Sequence, residues 1–120
     1  MRQLTKAEEE VMQILWKLEK TNVAGILEEL PKPKPAYNTI STVVRILENK
    51  GFVGHEQKGK GYLYFPIIPK TEYSHQSISK LVDNYFQGSY KTMVSFFVKQ
   101  EDLSLSELES ILNQIKKDER

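Results

Sequence analysis

Between Thr5 and Phe65 the helix starts, helix stops and turn residues follow one another so closely that they admit one order of elements, three helices and then a hairpin. Thr5-Lys6-Ala7-Glu8 has the Thr-x-x-Glu form of a capping box, in which threonine oxygen and glutamate carboxylate satisfy each other's backbone amides and start a helix. At about 100° per residue Val11, Ile14, Leu15 and Leu18 share one arc of it with Ala7 beside them, a core stripe. Met12 and Trp16 lie to one side and predict a second contact, with a sheet or a second lobe. Thr21 or Asn22 can cap a short helix from Val23 to Leu30. The run Pro31-Lys32-Pro33-Lys34-Pro35 must end that helix, because each proline excludes its predecessor from the helical region. A third helix is predicted from Tyr37 to Lys50, stopped by Gly51. Phe52-Val53-Gly54-His55 reads as a strand, Gln57-Lys58-Gly59-Lys60-Gly61 as a basic turn and Tyr62-Leu63-Tyr64-Phe65 as the returning strand.

Helix, helix, helix, hairpin within so few residues is the winged helix-turn-helix plan. Pro66 and Pro69 bracket its end, and the composition then turns helix-forming and slightly acidic. Ile78, Leu81, Val82, Tyr85 and Phe86 form one stripe up to Gly88, and Tyr90, Met93, Val94, Phe97 and Val98 another, widened by Phe96. Ser104-Leu105-Ser106-Glu107 is a second capping box, with Leu108, Ile111, Leu112 and Ile115 on one face of the helix it starts. The expected fold is mostly α with a small β-hairpin wing: a winged-helix DNA-binding domain over residues 1–70 and a helical dimerisation lobe over residues 71–120. Apolar faces this wide cannot all be hidden inside one small lobe, and a symmetric second copy is the simplest cover. Leu81, Tyr85, Met93, Phe97, Leu108, Ile111, Leu112 and Ile115 are the candidate dimer contacts.

Composition narrows the function. The 120 residues hold 17 Lys+Arg against 16 Asp+Glu and no cysteine, so disulfides, thiolate metal sites and a cysteine nucleophile are excluded. The charge is unevenly placed: residues 31–70 hold Lys32, Lys34, Arg45, Lys50, Lys58, Lys60 and Lys70 against Glu48 and Glu56 alone. Such a positive middle, flanked by acidic segments, favours a polyanionic partner on one face. No apolar run approaches the roughly 20 residues that span a bilayer, and the N-terminus has no signal-peptide pattern. The expectation is a cytoplasmic chain without membrane insertion. His55 and His75 have no catalytic partner at a recognisable spacing, and Glu8-Glu9-Glu10 reads as compensation of a helix dipole. Neither an enzyme, a metal nor a cofactor is expected.

The third helix carries the functional pattern. Ile40, Val43, Val44 and Leu47 form its apolar seam; Asn38, Thr42, Arg45 and Asn49 lie opposite, with Ser41 and Thr39 on the flanks. Solvated helix faces favour Glu, Lys and Gln, which are better helix formers than Asn, Thr and Ser. Short hydrogen-bonding side chains instead let a helix approach base edges, where Asn pairs with adenine and Arg with guanine. Asn38, Thr39, Ser41, Thr42 and Arg45 are therefore candidate DNA-binding residues, and Lys58 and Lys60 at the hairpin tip candidate phosphate contacts. Tyr62 and Tyr64 share one parity of the returning strand, Leu63 and Phe65 the other, and one pair is expected to pack inward. A rival reading is a winged-helix protein-interaction module whose lysines are merely solvated; a third, a regulator with a small-molecule effector, has no pocket-like polar cluster to support it.

Leu4 to Glu8, Val11 to Trp16, Asn38 to Val53, and Gly88-Ser89 with Phe97 to Ser104 together resemble the BlaI/MecI penicillinase-repressor family, over nearly the whole chain from Leu4 to about Lys116. The resemblance implies a homodimeric winged-helix repressor on dyad-symmetric operators, with Asn38, Thr39, Thr42 and Arg45 at matching positions of the recognition helix. It also implies induction by cleavage in the second lobe, triggered by a membrane sensor protease that detects β-lactams. Phe96-Phe97 stands where the best-known members have an Asn-Phe bond, which makes Phe96 and Phe97 the candidate cleavage position. The C-terminal Cys-x-Cys pair of the related copper-responsive repressors is missing here.

Overall fold

The computed structural model describes residues 2–118. The elements run α1 (Lys6–Leu18), α2 (Val23–Glu29), α3 (Tyr37–Asn49), β1 (Val53–Lys58), β2 (Gly61–Pro66), α4 (Lys70–Phe86), α5 (Tyr90–Lys99) and α6 (Leu105–Asp118). The local signals act as their chemistry requires. Thr5 Oγ1 accepts from the Glu8 amide at 3.2 Å while the Glu8 carboxylate accepts from the Thr5 amide at 2.9 Å. Asn22, not Thr21, caps α2, accepting the Gly25 amide at 2.8 Å. Thr21 instead exchanges both backbone hydrogen bonds with Tyr64, at 3.0 and 2.7 Å, and so ties the link between α1 and α2 to the hairpin. At the end of α3, Gly51 has φ of 83°. It donates to Glu48 O while Phe52 donates to Leu47 O, both at 3.0 Å, closing the carbonyls that a helix end leaves open.

The chain forms two compact units, Met1–Ser77 and Ile78–Arg120. The boundary lies inside α4 and not at residue 70, for a packing reason. Tyr73, in the second turn of α4, is buried against Phe52 and Trp16. Its hydroxyl accepts from the Leu4 amide and donates to Glu9, each at 3.1 Å. The first unit has one core, built from Val11, Met12 and Leu15 of α1, Ile26 of α2, Val44 and Leu47 of α3, and Phe52 and Val53 at the hairpin base. Met12, expected beside the stripe, is fully buried within it. Trp16 makes the second contact, its indole donating to Ile68 O at 2.9 Å where the chain leaves the hairpin.

The hairpin is longer and its turn tighter than the residue types suggested. β1 and β2 pair antiparallel from Val53 with Pro66 to Lys58 with Gly61, so Gln57 and Lys58 are strand residues and Gly59-Lys60 forms the turn. Gly59 has φ of 62°, the left-handed value that a two-residue hairpin turn needs and glycine supplies without strain. The tyrosines of equal parity separate: Tyr64 is 7% exposed, Tyr62 49%. Tyr64 is bridged to Thr21 beside the core, whereas Tyr62 stands next to the tip, beyond the core's reach.

In the second unit Ser89 caps α5, and Ser104 and Glu107 form the reciprocal capping box of α6 at 3.0 and 3.2 Å. Among its described residues only Val82 is buried. No helix among the described residues is long and apolar enough to cross a membrane.

Candidate nucleic-acid interface

α3 has two unlike sides because its residue types alternate at helical spacing. Ile40, Val44 and Leu47 are buried in the core. Asn38, Thr39, Thr42, Arg45 and Asn49 are exposed and Ser41 is half-buried. Beside this exposed side lies a cleft of about 500 Å³, between the start of α2, α3 and the hairpin. Ser41 and Arg45 of α3 and Lys58 and Lys60 of the hairpin line it together, so these four predicted residues converge. Asn38, Thr39 and Thr42 lie on the same helix outside that lining. Thr42 donates its hydroxyl to Asn38 O at 2.9 Å, and Arg45 reaches toward the same hydroxyl at 3.5 Å.

The fold divides the basic middle of the chain into structural and surface charges. Lys34 Nζ donates to the carbonyls of Leu27, Glu28 and Leu30 at 2.6, 3.0 and 3.2 Å and closes the end of α2. Lys50 pairs with buried Glu8 at 2.7 Å, locking the end of α3 onto α1. Burial by itself would raise the Glu8 carboxyl. The hydrogen bond and charge of Lys50, with the amide and hydroxyl of Thr5, outweigh it and hold the group below its ordinary value. Lys58 and Lys60 remain exposed at the wing.

Sequence reasoning missed Tyr37, Tyr62 and Asn22, which line the cleft as well. Tyr37 and Tyr62 are large exposed aromatics flanking basic or polar recognition positions, and that pairing was the available signal. It also read His55 as solitary. His55 Nδ1 pairs with Glu48 of α3, and its ring lies 4.6 Å from that of Tyr62 and 5.9 Å from that of Tyr64. Tyr64 is pushed up from its ordinary value first by burial and then by Glu48 nearby. Among the described residues no group of His, Asp and Glu could hold a metal ion.

In the second unit Leu81, Tyr85, Ile111, Leu112 and Ile115 are exposed, and Met93 and Leu108 half-buried. Leu81, Tyr85 and Phe97 share an apolar groove of about 970 Å³ with Phe86 and Phe96, rimmed by Lys91 and Lys99. Phe96 and Phe97 lie within α5, both at its surface.

A three-helix core carrying a two-stranded hairpin, with α2 and α3 as the helix-turn-helix and a polar outer face on α3, defines a winged helix-turn-helix protein. The profile of the family described as Penicillinase repressor matches residues 4–117. The Staphylococcus aureus methicillin resistance regulatory protein MecI is 28% identical over 116 residues, 96% of this chain and 94% of that protein. The Bacillus licheniformis penicillinase repressor is 30% identical over 118 residues, 95% and 92% of the two chains. The solution structure of the monomeric form of B. licheniformis BlaI in complex with the blaP half-operator superposes with a TM-score of 0.51 at 33% identity, over 60% of this chain and 89% of that one. The chain belongs to the penicillinase repressor family.

Proposed function

We propose that this repressor binds dyad-symmetric operator DNA as a homodimer, with α3 in the major groove and the wing on the backbone. The convergence of Ser41 and Arg45 with Lys58 and Lys60 on one cleft carries the reading. It offers a bidentate base reader beside paired phosphate contacts, which is the division of labour that sequence-specific binding needs. In this reading Asn38 pairs with adenine, and Thr39, on the flank of α3, stands at the edge of the contact. Because the Thr42 hydroxyl is engaged with Asn38 O, its methyl is the group left to meet a thymine methyl. The exposed apolar faces of α5 and α6, with Leu81 and Tyr85, form the dimer contact.

Release of the DNA follows from opening the second unit at Phe96-Phe97, by a sensor protease in the membrane. A peptide bond within a helix must unfold locally to be cut, and α5 has no buried residue to resist that. Cleavage separates α6 from α4, weakens the dimer, and lowers the effective concentration of the second DNA-binding unit without touching a base contact.

Footprinting on the promoter upstream of the chain's own gene tests the reading. Protection of two half-sites about one helical turn, or a multiple of it, apart is expected. Absence of protection, with binding to random duplex that does not respond to salt, would favour the protein-interaction module. Intact-mass spectrometry of the protein from cells before and after β-lactam exposure tests the switch, and a full-length chain after derepression overturns cleavage.

A further inference from the structure

The hairpin is held at two levels. At its base Val53 is buried in the core, and Thr21 bridges Tyr64 through paired backbone hydrogen bonds. These contacts fix where the hairpin leaves the core and hold β2 at the level of Tyr64, so that the grip on β1 is left to side chains. Two side-chain pairs do so, on opposite faces of β1, because successive strand residues alternate. Glu56 pairs with Lys20 at 3.0 Å, with side chains 50% and 46% exposed, a solvated pair of small worth. His55 pairs with Glu48, and both are better enclosed. His55 also stands opposite Tyr64 in the strand register and packs on Tyr62, which lines the cleft with Lys58 and Lys60. Glu48 lies one helical turn beyond Arg45 on α3. Beyond the core contact of Val53, this pair joins the base-reading helix to the strand that carries Lys58.

We propose that Glu48 and His55 form a strut between α3 and β1 that sets the lean of the wing, so that Lys58 and Lys60 meet phosphates while Arg45 meets a base. This rests on the operator-binding reading above. Both are positioning residues: neither needs to touch DNA. The strut acts on the backbone component of binding, which salt measures, and leaves the base preference of Arg45 alone.

The test uses the full chain and a duplex selected by the wild type from a random-sequence library, with a scrambled duplex as control. His55→Phe keeps a ring over Tyr62 and removes Nδ1. Its salt slope is expected to become shallower by about 1 to 2, toward that of the Lys58→Ala/Lys60→Ala double variant. Adding His55→Phe to that double variant is expected to change nothing further, since the strut acts only through those lysines. Glu48→Gln, which still accepts from Nδ1–H, is expected to keep the wild-type slope. Should His55→Phe melt early, Glu48→Ala is read in the same way. A wild-type slope in His55→Phe and Glu48→Ala, or an equal loss with and without the wing lysines, overturns the strut alone. A wild-type chain that does not prefer its selected duplex over the scrambled one overturns the operator reading and the strut with it.

Discussion

The two units of this chain are both helical and both begin helices with the same capping-box chemistry, yet they bury their apolar residues very differently. In the first unit three helices and the hairpin base close on one core, with Leu15, Ile26, Val44 and Leu47 wholly buried. In the second, α5 and α6 bury nothing fully, and Tyr85 is 77% exposed. Equal amphipathicity therefore does not make equal self-sufficiency. A helical stripe yields stability only where another stripe faces it, and the stripes of the second unit stay largely exposed among its described residues.

The sharpest way to break that contrast is to change apolar side chains in each unit separately. Leu47→Ala leaves a cavity in the closed core and is expected to cost about 2 to 5 kcal/mol in denaturant unfolding; a cost below about 1 would mean that this core is not the source of the unit's stability. Leu112→Glu with Ile115→Glu, on exposed α6 positions, is expected to leave that unfolding transition in place. Sedimentation equilibrium is expected to show dimer affinity weakened by about 2 to 4 kcal/mol. Unchanged association would remove α6 from the dimer contact.

Smaller effects divide the first unit itself. Arg45→Ala is expected to weaken binding to the selected operator by about 1 to 3 kcal/mol and to relax one base-pair preference per half-site, read by competition binding. Equal loss on random DNA would assign Arg45 to phosphate. Lys58→Ala/Lys60→Ala is expected to weaken binding to all sequences alike and to reduce the salt slope by roughly 2 per protomer. An unchanged slope would take the wing off the DNA.

The smallest effect concerns Glu8. Its folded carboxyl titrates below its ordinary value of 4.5, so the stability it contributes is present above that value and is lost as the pH falls through the lower, folded one. Glu8→Gln is expected to flatten the acid limb of the stability curve of the first unit. Denaturant midpoints measured from neutral pH down to the acid transition check it, and parallel curves for wild type and variant would show that the Lys50 pair contributes nothing.

Much was legible in the chain before folding. Thr5, Asn22, Gly51 and Ser104 mark helix ends by hydrogen bonds that reach three or four residues, so their neighbours suffice to identify them. The polar face of α3 was legible for the same reason, since helical spacing alone separates Arg45 and Thr42 from Val44 and Leu47.

What only the tertiary structure decided are the contacts that span the chain. Lys34 and Lys50 look like Lys58 and Lys60 in the sequence. Packing sets one against the end of α2 and another against Glu8, 42 residues away, and leaves the wing pair at the cleft. Tyr62 and Tyr64 share a parity, and distance from the core alone separates them. His55 gains its partner because the hairpin folds back onto α3. Tyr73 carries the first unit into α4 because its ring fits between Trp16 and Phe52. Local spacing determines which face a residue is on; which residues meet across elements is settled by how those faces close.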